Sequence, residues 1–226
     1  MRPLIIMNGE KIDWFHTVIR MLMYLAGVAV LALGMSLQTA SGLGIAALMC
    51  FATTLSMLTG KTLGFWITAT YVAYIVAQFT ILRREFQPRI LLELCFSTLI
   101  GGFTDFFMAV NPLHPAALPI QVETMLLSLA VTAFGVSLVV NMGVVPNAPD
   151  GLVQVIAEKI KRRFGDVKVV FDCSHVAVSL VLSLALMHNL GGFGVTTAIS
   201  ALFLGHVINI ANKLFAQRFV RAAFGK

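Results

Sequence analysis

Runs of apolar residues, each near the length that crosses a bilayer, follow one another along most of the chain with only short polar interruptions. Eight segments can be marked, at about 18–38, 43–59, 63–82, 90–110, 120–141, 149–163, 168–187 and 193–215. In 149–163, Leu152, Val155, Ile156 and Ile160 recur at helical spacing while Gln154, Glu158 and Lys161 face elsewhere. Gly, Pro and Asn punctuate the connections: Gly42-Leu43-Gly44, Gly60-Lys61-Thr62, Asn111-Pro112, Pro146-Asn147-Ala148-Pro149 and Gly191-Gly192. No connection is long enough to separate one domain from another. The pattern predicts one all-α transmembrane domain over residues 1–226, a polytopic helix bundle.

Composition strengthens this expectation. Hydrophobic residues make up 58% of the chain, charged residues 12%, and the mean hydropathy is +0.91. A soluble domain carries about a quarter of its residues charged, so this chain could not cover its own surface against water. Lys and Arg outnumber Asp and Glu, 16 against 10. In a membrane chain that excess gathers at cytoplasmic ends, so no nucleic-acid partner is implied. Cys50, Cys95 and Cys173 each lie in an apolar run without a partner at ligand spacing, and read as buried small hydrophobes. The first apolar run follows Glu10, Lys11, Asp13 and Arg20 and lacks a small-residue cleavage pattern, so it reads as a span rather than a secretory signal.

Charge placement orders the spans. If all eight segments crossed, Arg83, Arg84 and Arg89 would fall outside, against the positive-inside bias. If 43–59 and 149–163 instead enter and leave on one side, those arginines, the Lys159–Lys168 cluster and Lys213, Arg218, Arg221 and Lys226 all become cytoplasmic. Only Lys61 remains misplaced. The expectation is about six spans with both termini cytoplasmic, plus two short re-entrant or interfacial helices. Leu33-Gly34-Met35-Ser36-Leu37 resembles Phe134-Gly135-Val136-Ser137-Leu138, and a Gly-containing break follows each. Three spans per half, over about 15–112 and 113–218, give a 3+3 inverted repeat.

The break from Gly143 to Gly151 carries the most chemistry. Asn147 suits a helix N-cap, Pro149 the first turn and Asp150 the positive end of the helix dipole. Residues Met142 to Asn147 can extend about 20 Å, enough to dip from the interface to the midplane. The alternative is a helix lying on the cytoplasmic surface with Lys159, Lys161, Arg162 and Arg163 among lipid headgroups. Ionisable residues inside spans are costly and mark function. Glu93 is expected to snorkel or pair with Arg89, and Asp105 to meet solvent at the outer end. Asp172 and His175, three apart on one face, suit a cation or proton site or an interhelical hydrogen bond. His206, Asn209 and Asn212 form a further polar stripe. Gly34, Gly135, Gly151, Gly192, Gly194 and Gly205, with Pro149, are read as structural positions. No cluster has metal-ligand spacing, and no nucleophile elbow, phosphate loop or dinucleotide fingerprint is visible, so neither an enzyme nor a cofactor is expected.

Val145-Pro146-Asn147-Ala148-Pro149-Asp150-Gly151-Leu152, then Phe171-Asp172-Cys173, then Gly192-Phe193-Gly194-Val195-Thr196-Thr197-Ala198 with Gly205 beyond, resemble the YitT/YczE-like bacterial membrane proteins. The resemblance runs from about Gly34 to Phe215 and implies a cytoplasmic-membrane location. Where relatives tend to carry a Pro and a polar or aromatic residue after the first break, this chain has Ala46-Ala47-Leu48-Met49. The expected function is transport of a small solute or ion through a midplane site of Asn147, Asp150, Asp172, His175 and Asn209. The alternative is a non-transporting accessory factor supporting another membrane or biosynthetic complex. The expected partners are the lipid bilayer and the solute, with oligomeric state left open.

Overall fold

The computed structural model describes residues 7–8, 11–83, 88–113, 115–145, 147–162, 164–188 and 193–224. Arg84, Pro146, Arg163, Gly191 and Gly192 lie outside the described residues, as do the side chains of Arg89 and His206. Helix α1 spans Trp14–Ser41, α2 Cys50–Thr59 after a 3-10 turn at Ala47–Met49, α3 Leu63–Leu82, α4 Leu92–Val110 and α5 Leu118–Met142. Helix α6 spans Ala148–Lys159, α7 Phe164–Leu182 with a π-helical extension over Ser183–Met187, and α8 Val195–Phe224. A two-residue antiparallel pairing of β1 (Met7–Asn8) with β2 (Lys11–Ile12) precedes the bundle, a small departure from the all-α expectation.

Each expected segment is helical, and local chemistry sets several boundaries. Asp13 caps α1 by accepting the His16 N–H at 3.1 Å, and its other oxygen meets the His16 ring at 2.6 Å. The backbone bond first, and the ring second, hold the Asp13 carboxyl below the usual carboxylate range. Thr62 caps α3 by accepting the Phe65 N–H at 3.2 Å. Among the described residues, five helices are long and apolar enough to cross a membrane: α1, α3, α4, α5 and the α7 stretch Asp166–Leu186. This is a multi-pass membrane protein. The expected sixth span lies in α8, which is not among the five; it carries His206, Asn209, Asn212 and Lys213 within its length.

The core forms where α1 and α5 cross antiparallel. A methyl on Gly34 would lie 2.8 Å from the Thr132 nitrogen, and one on Gly135 would lie 2.6 Å from the Leu31 nitrogen. Both glycines therefore let the two backbones touch, the close approach that small residues permit between helices in membranes. Val28, Ala32, Ile100, Ala133 and Met142 are wholly buried around this crossing. By contrast α7 sits at the edge, with Val169, Val170, Val178 and Val181 exposed. Cys50 is buried, but Cys95 and Cys173 are exposed on the outside of the bundle, correcting the expectation of three core thiols.

Several features recur 101 residues apart. The C-caps of α1 and α5 are Gly42 and Gly143, both left-handed, with φ of 70° and 56°. The short helical segments after them begin at Ala47 and Ala148, and α3 and α7 begin at Leu63 and Phe164. Asn111 donates to the Ser36 hydroxyl at 3.0 Å, and the Ser137 hydroxyl donates to Asn212 at 2.6 Å. The contacts of Gly34 with Thr132 and of Gly135 with Leu31 exchange under the same shift.

Candidate functional site

The second break is held from both sides. Arg20, six residues into α1 and wholly buried, donates from Nε to the Met142 carbonyl at 2.7 Å and from Nη2 to the Gly143 carbonyl at 2.9 Å. A guanidinium on the last carbonyls of α5 satisfies orphan acceptors and complements the helix dipole. The Tyr24 hydroxyl reaches the Val145 carbonyl at 3.5 Å. Asn147 occupies the N-cap position of α6, where its carbonyl accepts the Gly151 N–H at 2.9 Å. Its side chain does not cap the helix, contrary to expectation: Oδ1 is buried without a partner, and the amide lies beside the Tyr71 hydroxyl. Pro149, as expected, sits in the first turn, where its missing N–H costs nothing.

Under the first turn of α6 lies a buried polar pair. Gln78 Nε2 donates to Glu93 Oε2 at 2.7 Å and reaches the Ala148 carbonyl at 3.3 Å. Glu93 is 1% exposed, so it does not snorkel; it turns inward under α6. Gly151 makes room for it, since a methyl there would stand 2.7 Å from Glu93 Oε1. Asp105 is half-buried near the C-terminal end of α4. Its two oxygens accept the Thr62 hydroxyl at 2.6 Å and the Gly64 N–H at 2.7 Å, so it also ties α4 to the N-terminus of α3.

Asp150 and Asp172 are brought together, through a residue that belongs to no motif in the sequence. Lys168 Nζ lies 2.9 Å from Asp172 Oδ1 and 3.3 Å from Asp150 Oδ1. His175 does not bond Asp172: its Nδ1 faces the Phe171 carbonyl at 2.8 Å and its Nε2 the Tyr74 hydroxyl. With both ring nitrogens engaged, the imidazole braces α7 against α3. The expected acid–imidazole pair is replaced by a lysine shared between two carboxylates.

Asp150, Lys168 and Asp172 line a cavity of about 300 Å³. Its opposite walls come from Leu31, Met35 and Gln38 of α1, Ala46 to Met49 of the first break, and Ser200, Leu204, Gly205 and Ile208 of α8. A neighbouring lobe of about 240 Å³ shares Leu31, Val136, Asn147 and Asp150 and extends along Val139 to Val145. Buried polar atoms normally find partners. Here both amide atoms of Gln38, the Thr132 hydroxyl and Asn147 Oδ1 have none, and all three residues line the cavity. A larger hollow of about 410 Å³ opens beside Ser36, Gly42 and Asn111 but carries no charged side chain among its described lining residues. The chemistry is in the smaller one.

The other expected residues divide. Asn209 is exposed and does not line the cavity, whereas Asn212 turns inward to Ser137 and Asn141. Gly194 packs against the first break: a methyl on it would stand 2.6 Å from the Leu43 carbonyl carbon, and Thr196 N–H donates to the Leu43 carbonyl at 2.9 Å. A methyl on Gly205 would meet nothing within 4 Å, so packing does not require glycine there. Among the described residues no three His, Cys, Asp or Glu side chains converge as metal ligands.

Residues 18–213 match a family of unknown function, DUF6198. The chain belongs to that family. No curated protein and no solved structure matches it. The DUF6198 region takes in Arg20, both breaks, Glu93 and every cavity residue, ending just beyond Asn212. No motif or spacing in the sequence marks Arg20, Gln38, Gln78, Tyr71 or Lys168 as a site residue. One signal was present for Gln38 and Gln78: an amide inside an apolar span is costly unless something receives it.

Proposed function

We propose that this DUF6198 protein binds and moves a small solute or ion across the membrane, as a transporter or channel without enzymatic activity. The carrying observation is the cavity between the two breaks, which joins a charged end at Asp150, Lys168 and Asp172 to buried polar atoms that lack protein partners. Such an arrangement has no packing purpose: an apolar filling would be at least as stable. It matches the known device of a broken helix presenting groups to a midplane site. In this reading the chain has six spans with both termini cytoplasmic in a bacterial cytoplasmic membrane. Segments 47–59 and 148–159 re-enter, and the halves form an inverted repeat. The features recurring 101 residues apart and the antiparallel α1–α5 crossing support that plan. Burial of Ala148, Pro149, Leu152, Val153 and Ala157 supports re-entrance over a surface-lying α6.

One observation favours a non-transporting accessory role instead. Only 11% of the α7 span is buried, leaving a long face for another membrane protein. A ligand-dependent thermal-shift screen on purified protein, followed by flux in proteoliposomes, separates the two, because a binder of the folded state raises apparent stability. Asp172→Asn is expected to stay folded and to lose solute-dependent stabilisation and flux. If the variant loses only expression and stability, Asp172 is a structural partner of Lys168 and the transport role fails.

A further inference from the structure

We infer that the cavity takes a small organic monocation with an apolar body and a neutral hydrogen-bonding end, an inference that rests on the solute-binding reading above. Charge identifies the cationic group. Two carboxylates, Asp150 and Asp172, share the single ammonium of Lys168, so the charged end holds one formal negative charge in excess. An ammonium or guanidinium group arriving there completes the balance, while an arriving anion would have to displace a carboxylate from Lys168. The three side chains are partly exposed, so water tempers that preference without reversing its sign.

Volume and lining identify the apolar body. About 300 Å³ is the lower end of pockets that enclose organic ligands and far exceeds one dehydrated inorganic ion. Between its ends the wall is hydrocarbon, from Leu31, Met35, Leu48, Val136 and Ile208. Gln38 identifies the neutral end. It is wholly buried, lines the same cavity, and has neither its amide N–H₂ nor its carbonyl engaged. An amide offers both a donor and an acceptor, so a hydroxyl or amide on the ligand satisfies it without bringing a second charge. The site reads from cation to apolar body to neutral polar tip.

The test uses purified full-length protein and a graded series of ω-amino alcohols, compared with alkylammonium, alkanol and alkanoate probes of matched length at constant ionic strength. The amino alcohols are expected to raise the unfolding midpoint most, the alkylammonium ions less, and the alkanols and alkanoates least. Gln38→Met keeps the side-chain length and removes the two unpartnered amide groups. It is expected to fold and to bind amino alcohols about 3- to 10-fold more weakly, level with the alkylammonium ions. Stabilisation by alkanoates or alkanols above the cations would overturn the cation class while leaving solute binding intact. No stabilisation by any of the four classes would sink both this inference and the solute-binding reading for this cavity. If Gln38→Met leaves the preference for amino alcohols unchanged, or does not fold, Gln38 serves structure and the neutral-tip assignment is wrong. The charge series on the native protein stands independently of that variant.

Discussion

After α1 the chain breaks through Gly42, Leu43 and Gly44 and turns into a short helix at Ala47; after α5 it breaks through Gly143, Val144 and Val145 and turns into α6 at Ala148. Both breaks line the same cavity, yet they are held in different ways. The first is fastened backbone to backbone: Gly44, at φ 109°, lies against Gly194, with the Gly44 Cβ position 2.6 Å from the Gly194 nitrogen. The second is fastened by side chains, with Arg20 on its entering carbonyls and Glu93 under Gly151. At the position matching Arg20, 101 residues further on, the second half has Gln121, which lies close to Gly42 of the first break. A backbone clamp leaves a rigid apolar wall. A side-chain clamp leaves charged groups free to face a ligand, and the cavity's charged end lies on that side.

The comparison breaks first at its tightest contact. Gly194→Ala or Gly44→Ala is expected to destabilise the protein by about 4 kcal/mol or more, because backbone atoms cannot step aside. Loss of the monodisperse species in detergent chromatography would show it; a variant with the native melting profile would mean the clamp is loose. Next comes Arg20→Gln, which makes the second break resemble the first. Hydrogen bonds from a charged donor contribute about 1.5–3 kcal/mol each, so a loss of about 3 kcal/mol is expected, read from the midpoint of thermal unfolding. A neutral result would mean Gln serves equally well at both breaks. The mildest pair sharpens the contrast. Gly151→Ala meets a side-chain carboxylate that can yield, at about 1–3 kcal/mol, whereas Gly205→Ala meets open space and is expected to stay within about 0.5 kcal/mol. Equal melting temperatures for these two would contradict the placement of Glu93 against α6.

Much of the architecture is legible in the sequence because its signals are local. Thr62 after Gly60 marks the start of α3 within the span expected from hydropathy, and Gly42 and Gly143 mark the ends of α1 and α5 through their left-handed backbone. Pairings between distant residues leave no such trace. Arg20 meets carbonyls on a helix near the middle of the chain, and nothing in the periodicity of either helix announces it. Lys168 and Asp172 stand four apart and are readable as a pair, but the third member, Asp150, belongs to another helix. Asn209 and Asn212 share a stripe in sequence, yet only the rotation of α8 against α5 decides which asparagine turns inward. Glu93 departs from expectation because depth along a span does not decide its solvation: it faces a helix N-terminus supplied by a neighbour.

Arg20 also bears on how the chain is made. While the ribosome is still adding α3, α1 is complete and apolar enough to leave the translocon for the bilayer. The carbonyls that receive its guanidinium in the finished protein lie 122 and 123 residues further on. Placing an arginine at the centre of a lone inserted helix costs about 2.5–3.5 kcal/mol, less toward an end where the side chain can reach the headgroups. A lone α1 is therefore expected to ride higher, toward the side of its N-terminus, than one crossed by α5. On that expectation the depth of α1 is set by late assembly, and a nascent chain stopped before α5 would hold α1 at a different height from the mature protein.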